Sequence, residues 1–207
     1  MNPRRLAAAA ATALLALSFA ACASPAPVGS APDAPSLGAV SPGLPDGTVW
    51  AQGLVLDDGE SAKLCLGPVA ESAPPQCAGI PLVGWSWDGV EGSDEMSGSR
   101  WGSYAVQGTY DGEAFTVTQP PVMLALFDPM PLPDPTGGKA GAGTDAELQE
   151  IQESLPDRLG AAYFSSSPVN GWLWVDVLWD DGTWQDAADG EFGAGKVVIR
   201  PALHEVE

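Results

Sequence analysis

Three groups of side chains in this sequence are able to do chemistry. Acidic residues cluster at Asp57-Asp58-Glu60, at Asp88, Glu91, Asp94 and Glu95, and at Asp180, Asp181, Asp186, Asp189 and Glu191. Such oxygens could ligate calcium, but none of the clusters carries the D-x-[DN]-x-[DN]-G loop, and solvated turns account for them without a metal. Tryptophans form the second group: Trp172, Trp174, Trp179 and Trp184 crowd one span, with Trp85, Trp87 and Trp101 upstream. On a strand, Trp172 and Trp174 share one face while Leu173, Val175 and Val177 share the other. The two rings could form a shelf for stacking sugars or a hydrophobic partner. The competing expectation buries both faces of that strand, since an indole buries well once its N–H finds a partner. The third group is the three cysteines, Cys22, Cys65 and Cys77.

Catalytic signatures are missing. The sequence contains no G-x-S-x-G, no phosphate loop, no dinucleotide fingerprint and no H-E-x-x-H. Its single histidine, His204, supports neither a His-rich metal site nor a triad. Two carboxylates across a cleft suffice to cleave glycosides, yet among 27 acidic residues any such pair is uninformative. The expectation is therefore a non-enzymatic protein with no catalytic residue, no metal site and no cofactor.

The cysteines acquire meaning from the start of the chain. Arg4 and Arg5 precede an Ala/Leu-rich run over residues 6–21, the layout of a secretory signal peptide. At 16 residues the run is shorter than the roughly 20 a membrane-spanning helix needs. Phe19-Ala20-Ala21-Cys22 resembles a bacterial lipobox, with Phe19 where Leu is usual three residues before the cysteine. That resemblance implies a diacylglyceryl group on the Cys22 thiol, cleavage before it, and a cell-membrane anchor on the extracytoplasmic face. The alternative is an ordinary signal peptide with Cys22 a spare thiol. Two or three acyl chains hold a protein stably where one does not. In an exported protein, Cys65 and Cys77 are most simply a disulfide, worth about 3 kcal/mol in the chain-entropy picture.

Charge narrows the partners. With residues 1–21 removed, 6 basic residues remain (8 less Arg4 and Arg5) against 27 acidic ones, a net of −21. Such a surface repels nucleic acid, whose binding depends on clustered Lys and Arg. It favours solubility, cation accumulation or a basic partner. The expected partners are the membrane, through the lipid, and an envelope protein or glycan.

The elements that position these residues can be read in order. Residues 22–46, rich in Pro, Ala, Gly and Ser, read as an extended tether. Residues 47–118 read as a β domain, with strands over 48–56, 61–66 and 80–87, a loop over 71–79 and an acidic excursion over 88–98. Asp111-Gly112 then joins residues 101–110 to 113–118, the strongest hairpin signal in the chain. Five short strands predict a small antiparallel barrel of the oligonucleotide/oligosaccharide-binding (OB-like) kind, because closure removes exposed edges. Residues 119–143 read as a Pro/Gly-rich linker in which 122–127 packs back on the barrel. Over residues 144–207, Thr144 and Glu147 form a capping box. Leu148, Ile151, Leu155 and Leu159 make one apolar stripe, with Pro156 expected to end or kink the helix near Leu155. The order that follows, α-β-β-α-β, predicts a small two-layer sandwich with its helices on one face.

The segments 65–69, 74–77, 84–87 and 108–118 together resemble an uncharacterised group of exported actinobacterial proteins and lipoproteins. The resemblance spans residues 47–118 and, more loosely, the C-terminal third. It implies a shared fold and an envelope location, and brings no activity with it.

Overall fold

The computed structural model describes residues 35–128, 131–132 and 134–206. The signal run and Cys22 lie outside the described residues. Among the described residues, thirteen strands and two α-helices follow one another. They are β1 (Val49–Asp57), β2 (Ala62–Cys65), β3 (Val69–Ala70), β4 (Gln76–Cys77), β5 (Ile80–Val83), β6 (Ser93–Met96), β7 (Ser99–Tyr110), β8 (Phe115–Val117), β9 (Val122–Met123), α1 (Asp145–Leu159), β10 (Tyr163–Val169), β11 (Trp172–Val177), α2 (Thr183–Phe192), β12 (Val197–Pro201) and β13 (His204–Glu205).

A five-stranded barrel closes in the order β1-β2-β5-β8-β7 and back to β1. The long strand β7 lies antiparallel to β1 from Val49 opposite Gly108 to Asp57 opposite Arg100. Its other edge serves β6, then β9, then β8. The Asp111-Gly112 turn forms as expected, with Asp111 Oδ1 accepting from the Glu113 and Ala114 N–H groups at 2.9 and 2.7 Å. The closure itself differs from an all-antiparallel ring. β5 and β8 pair in parallel, Leu82 with Phe115 and Val83 with Thr116, so the barrel is mixed. Strand direction across the seam is set by connections outside the hairpin, and no local signal carries it.

Two glycines let the strands close. A Cβ on Gly53 would stand 2.5 Å from the Cys65 carbonyl oxygen, and one on Gly108 would collide with the Thr116 carbonyl. Both strands come too close there for a side chain. Inside, Val49, Ala51, Val55, Leu64, Tyr104, Val106 and Phe115 are almost fully buried. The Cys65–Cys77 disulfide ties β2 to β4, with 5.9 Å between the Cα atoms. The acidic excursion over 88–98 is more regular than its composition implies: Ser97 and Gly98, with φ of 55° and 84°, turn β6 back onto β7.

Beyond the barrel, β10 and β11 pair antiparallel and β11 and β12 in parallel, with α1 and α2 packed on one side. The Thr144–Glu147 capping box is present, and Leu148, Ile151, Leu155 and Leu159 are buried. The helix does not end at Pro156; it continues to Leu159, with the Gly160 N–H bonded to the Pro156 carbonyl. A helical proline costs about 3 kcal/mol. Burying a leucine such as Leu155 or Leu159 offers roughly 1.5–3 kcal/mol each, so core packing carries the last turn through.

The barrel and the α/β layer share residues. Leu178 and Leu203 are buried in the barrel's core cluster, and Phe164 and Trp179 pack against it. β13 adds to the free edge of β1, Trp50 opposite His204. Part of the segment read as tether is also docked. Leu37 is 2 % exposed and belongs to the core beneath α1 and α2. Its N–H donates to Glu191 at 2.8 Å and its carbonyl accepts from Arg158 at 3.3 Å.

Candidate ligand groove

β11 places its side chains as the alternation requires. Leu173, Val175 and Val177 are buried toward the helices, while Trp172 and Trp174 lie half-buried on the opposite face. The two tryptophans share that face but have different surroundings. Trp172 donates its indole N–H to the Lys139 carbonyl at 2.8 Å and packs against Gly141. The linker therefore roofs it. Trp174 instead lines an open cavity of about 670 Å³ together with Leu132, Asp176, Arg200 and His204.

The polar groups beside Trp174 are held in place. Arg200 sits opposite Asp176 in the β11–β12 ladder and pairs with it at 2.7 Å. Ser165 donates to the other oxygen of Asp176, also at 2.7 Å. The Arg200 guanidinium lies 5.2 Å from the centre of the Trp174 ring, within cation–π range.

A second cavity, of about 620 Å³, is lined by Trp50, Gln107, Phe127, Leu132 and His204. Leu132 and His204 line both cavities, so the two form one groove running from β1 to β12. The Trp50 ring lies 4.6 Å from His204 and 5.8 Å from Phe127. Burial holds His204 below its ordinary value of 6.5, so the imidazole is neutral at pH 7. Among the described residues, neither the Trp50 nor the Trp174 indole N–H has a hydrogen-bond acceptor.

Several of the other aromatic and acidic side chains make contacts that hold the fold together. Trp179 and Trp184 donate to the Gly43 and Val40 carbonyls at 2.8 and 2.9 Å, fastening the N-terminal strap. Trp87 donates to Asp57 at 2.8 Å and is covered by Arg100, 4.5 Å from its ring centre. Trp85 packs edge-on against Trp87 beside a further cavity of about 610 Å³ at one end of the barrel. Asp58 takes the Glu60 and Ser61 N–H groups, which lowers its pKa. Asp181 is held low by Thr183 and the Gly43 N–H, whereas burial raises Asp180, which accepts from the Trp184 and Gln185 N–H groups. Among the described residues, no three acidic, histidine or cysteine side chains converge to hold a metal ion. None of the helices described is long and apolar enough to cross a membrane.

Sequence reasoning singled out Trp174 but missed Trp50 and His204. The available signal was weak: an apolar-alternating strand carrying one tryptophan, and a lone histidine 154 positions later. Compared with known families, characterised proteins and solved structures, the chain matches no family model, no curated protein and no structure.

Proposed function

We propose that this chain is a lipid-anchored envelope protein, held on the extracytoplasmic face of the cell membrane through Cys22, whose folded body is a non-catalytic interaction module. The groove carries the reading. It is built from aromatic faces, with the Arg200–Asp176 pair beside Trp174, rather than from a convergent set of acids, bases or nucleophiles. Asp176, the acid nearest the Trp174 ring, is tied to Arg200 and Ser165, which suits a surface that binds and does not turn over. The lipobox-type signal and the resemblance to exported actinobacterial proteins support the location. The disulfide agrees with an oxidising compartment. The docked strap adds a distance limit: between Cys22 and Leu37 a fully extended chain reaches at most about 50 Å, which would keep the body near the membrane.

Mass spectrometry of the full-length protein, extracted from its own membranes in mild detergent without reductant, tests this. The expected mass begins at Cys22 and includes diacylglycerol and acyl groups. A lipid-free chain starting elsewhere would overturn the anchored reading.

A further inference from the structure

We infer that the groove between Trp50 and Trp174 is a binding site for a neutral oligosaccharide. This deepens the interaction-module reading and rests on it. Each half of the groove offers a half-buried indole ring on a rigid strand. The axial C–H face of a pyranose stacks on such a ring, whose face is electron-rich. Each half also sets polar groups beside its ring: the Arg200–Asp176 pair next to Trp174, and Gln107 with neutral His204 next to Trp50. Sugar hydroxyls, which both donate and accept, match that mixture. The two cavities, of about 620 and 670 Å³, are contiguous through Leu132 and His204. Each lies within the roughly 300–1,000 Å³ common for small-molecule sites, so the groove suits a chain of sugars rather than one ring.

Charge selects against the other ligands. A net charge of −19 opposes anionic glycans, phosphates and nucleic acid. A cationic ligand would need uncommitted carboxylates beside the rings. Beside Trp174, Asp176 is already paired with Arg200, and Asp134 is committed to the Thr136 and Gly138 N–H groups and the Thr136 hydroxyl; Asp128 and Glu205 line the Trp50 end. The Trp174 ring already carries a guanidinium. The Trp174 end therefore fits a neutral molecule with apolar faces and polar edges, and a basic peptide is the competing occupant at the Trp50 end.

The experiment titrates the full chain, in mild detergent, with uncharged oligosaccharides of glucose, xylose and N-acetylglucosamine, read by tryptophan fluorescence and calorimetry. Saturable binding by at least one series is expected. Trp174→Ala, Trp174→Phe and Trp50→Leu should each weaken it, the alanine variant by about tenfold or more, equivalent to roughly 1.4 kcal/mol. Trp172→Phe, outside both cavities, keeps a ring in place and should change binding by less than about twofold, equivalent to roughly 0.4 kcal/mol. Circular dichroism of each variant separates lost binding from lost folding, and the phenylalanine variant keeps the test open if alanine unfolds the sheet. No binding by any neutral series to the folded chain overturns the inference, as does binding indifferent to Trp174 and Trp50. A basic peptide that binds in a Trp174-dependent manner, where neutral sugars fail, overturns the saccharide assignment and leaves the interaction-module reading standing.

Discussion

Arg158 on α1 and Glu191 on α2 meet at 2.7 Å, and between them they grip the backbone of Leu37 from both its N–H and its carbonyl. Two side chains 33 residues apart thereby fasten a segment 121 residues before the first and 154 before the second. The segment works as a strap over the helical layer. Leu37→Ala should destabilise the chain by about 2–4 kcal/mol, because a fully buried leucine leaves a cavity as well as losing transfer energy. Urea unfolding measures this. Limited proteolysis should then cut within residues 35–45 in the variant before it cuts the parent.

The disulfide gives a second expectation. Replacing both Cys65 and Cys77 with alanine should lower stability by about 2–4 kcal/mol, as for loops of this length. The parent treated with reductant should show a similar fall in its unfolding midpoint. An unchanged midpoint would mean that the β3–β4 pair is held by packing alone.

His204 predicts a pH dependence. Burial lowers its pKa in the folded chain below the ordinary 6.5, so the unfolded state binds the proton more readily. Its contribution is fully present above pH 6.5 and is lost as the pH falls through 6.5 toward the folded value. The urea midpoint should therefore drop between pH 7.5 and 5.5. His204→Phe, which keeps a ring against Trp50 at 4.6 Å in the parent, should flatten that drop.

The start of α1 titrates at lower pH. Lys196, the Thr144 N–H and the Thr144 hydroxyl hold Glu147 at about 2 against an ordinary 4.5. The stabilisation is present above pH 4.5 and is lost as the pH falls from there through about 2. Thr144→Ala removes the cap and should cost about 1 kcal/mol at neutral pH. Amide exchange at residues 145–148 should speed up in both cases, ahead of exchange in β7.

Features readable in the sequence were those with local causes. Asp111-Gly112 turned the chain because both residues suit the turn, and the Thr144–Glu147 box opened α1 because its two partners lie three apart. The stripe of Leu148, Ile151, Leu155 and Leu159 repeats on the helical period and found the core. Alternation along β11 placed Trp172 and Trp174 on the face away from the helices. Pro156 misled because its cost is local while its compensation, the burial of Leu159, is not.

Sequence by itself determined the strong hairpin, the helix start, the two apolar stripes and the acidic character, since composition and spacing act over a few residues. Tertiary structure alone decided four things. It paired β5 with β8 in parallel, docked Leu37 under Arg158 and Glu191, roofed Trp172 while leaving Trp174 open, and set His204 against Trp50. Each of these joins residues more than 30 positions apart. Their contact energy is realised only when the chain closes, and no local propensity records it.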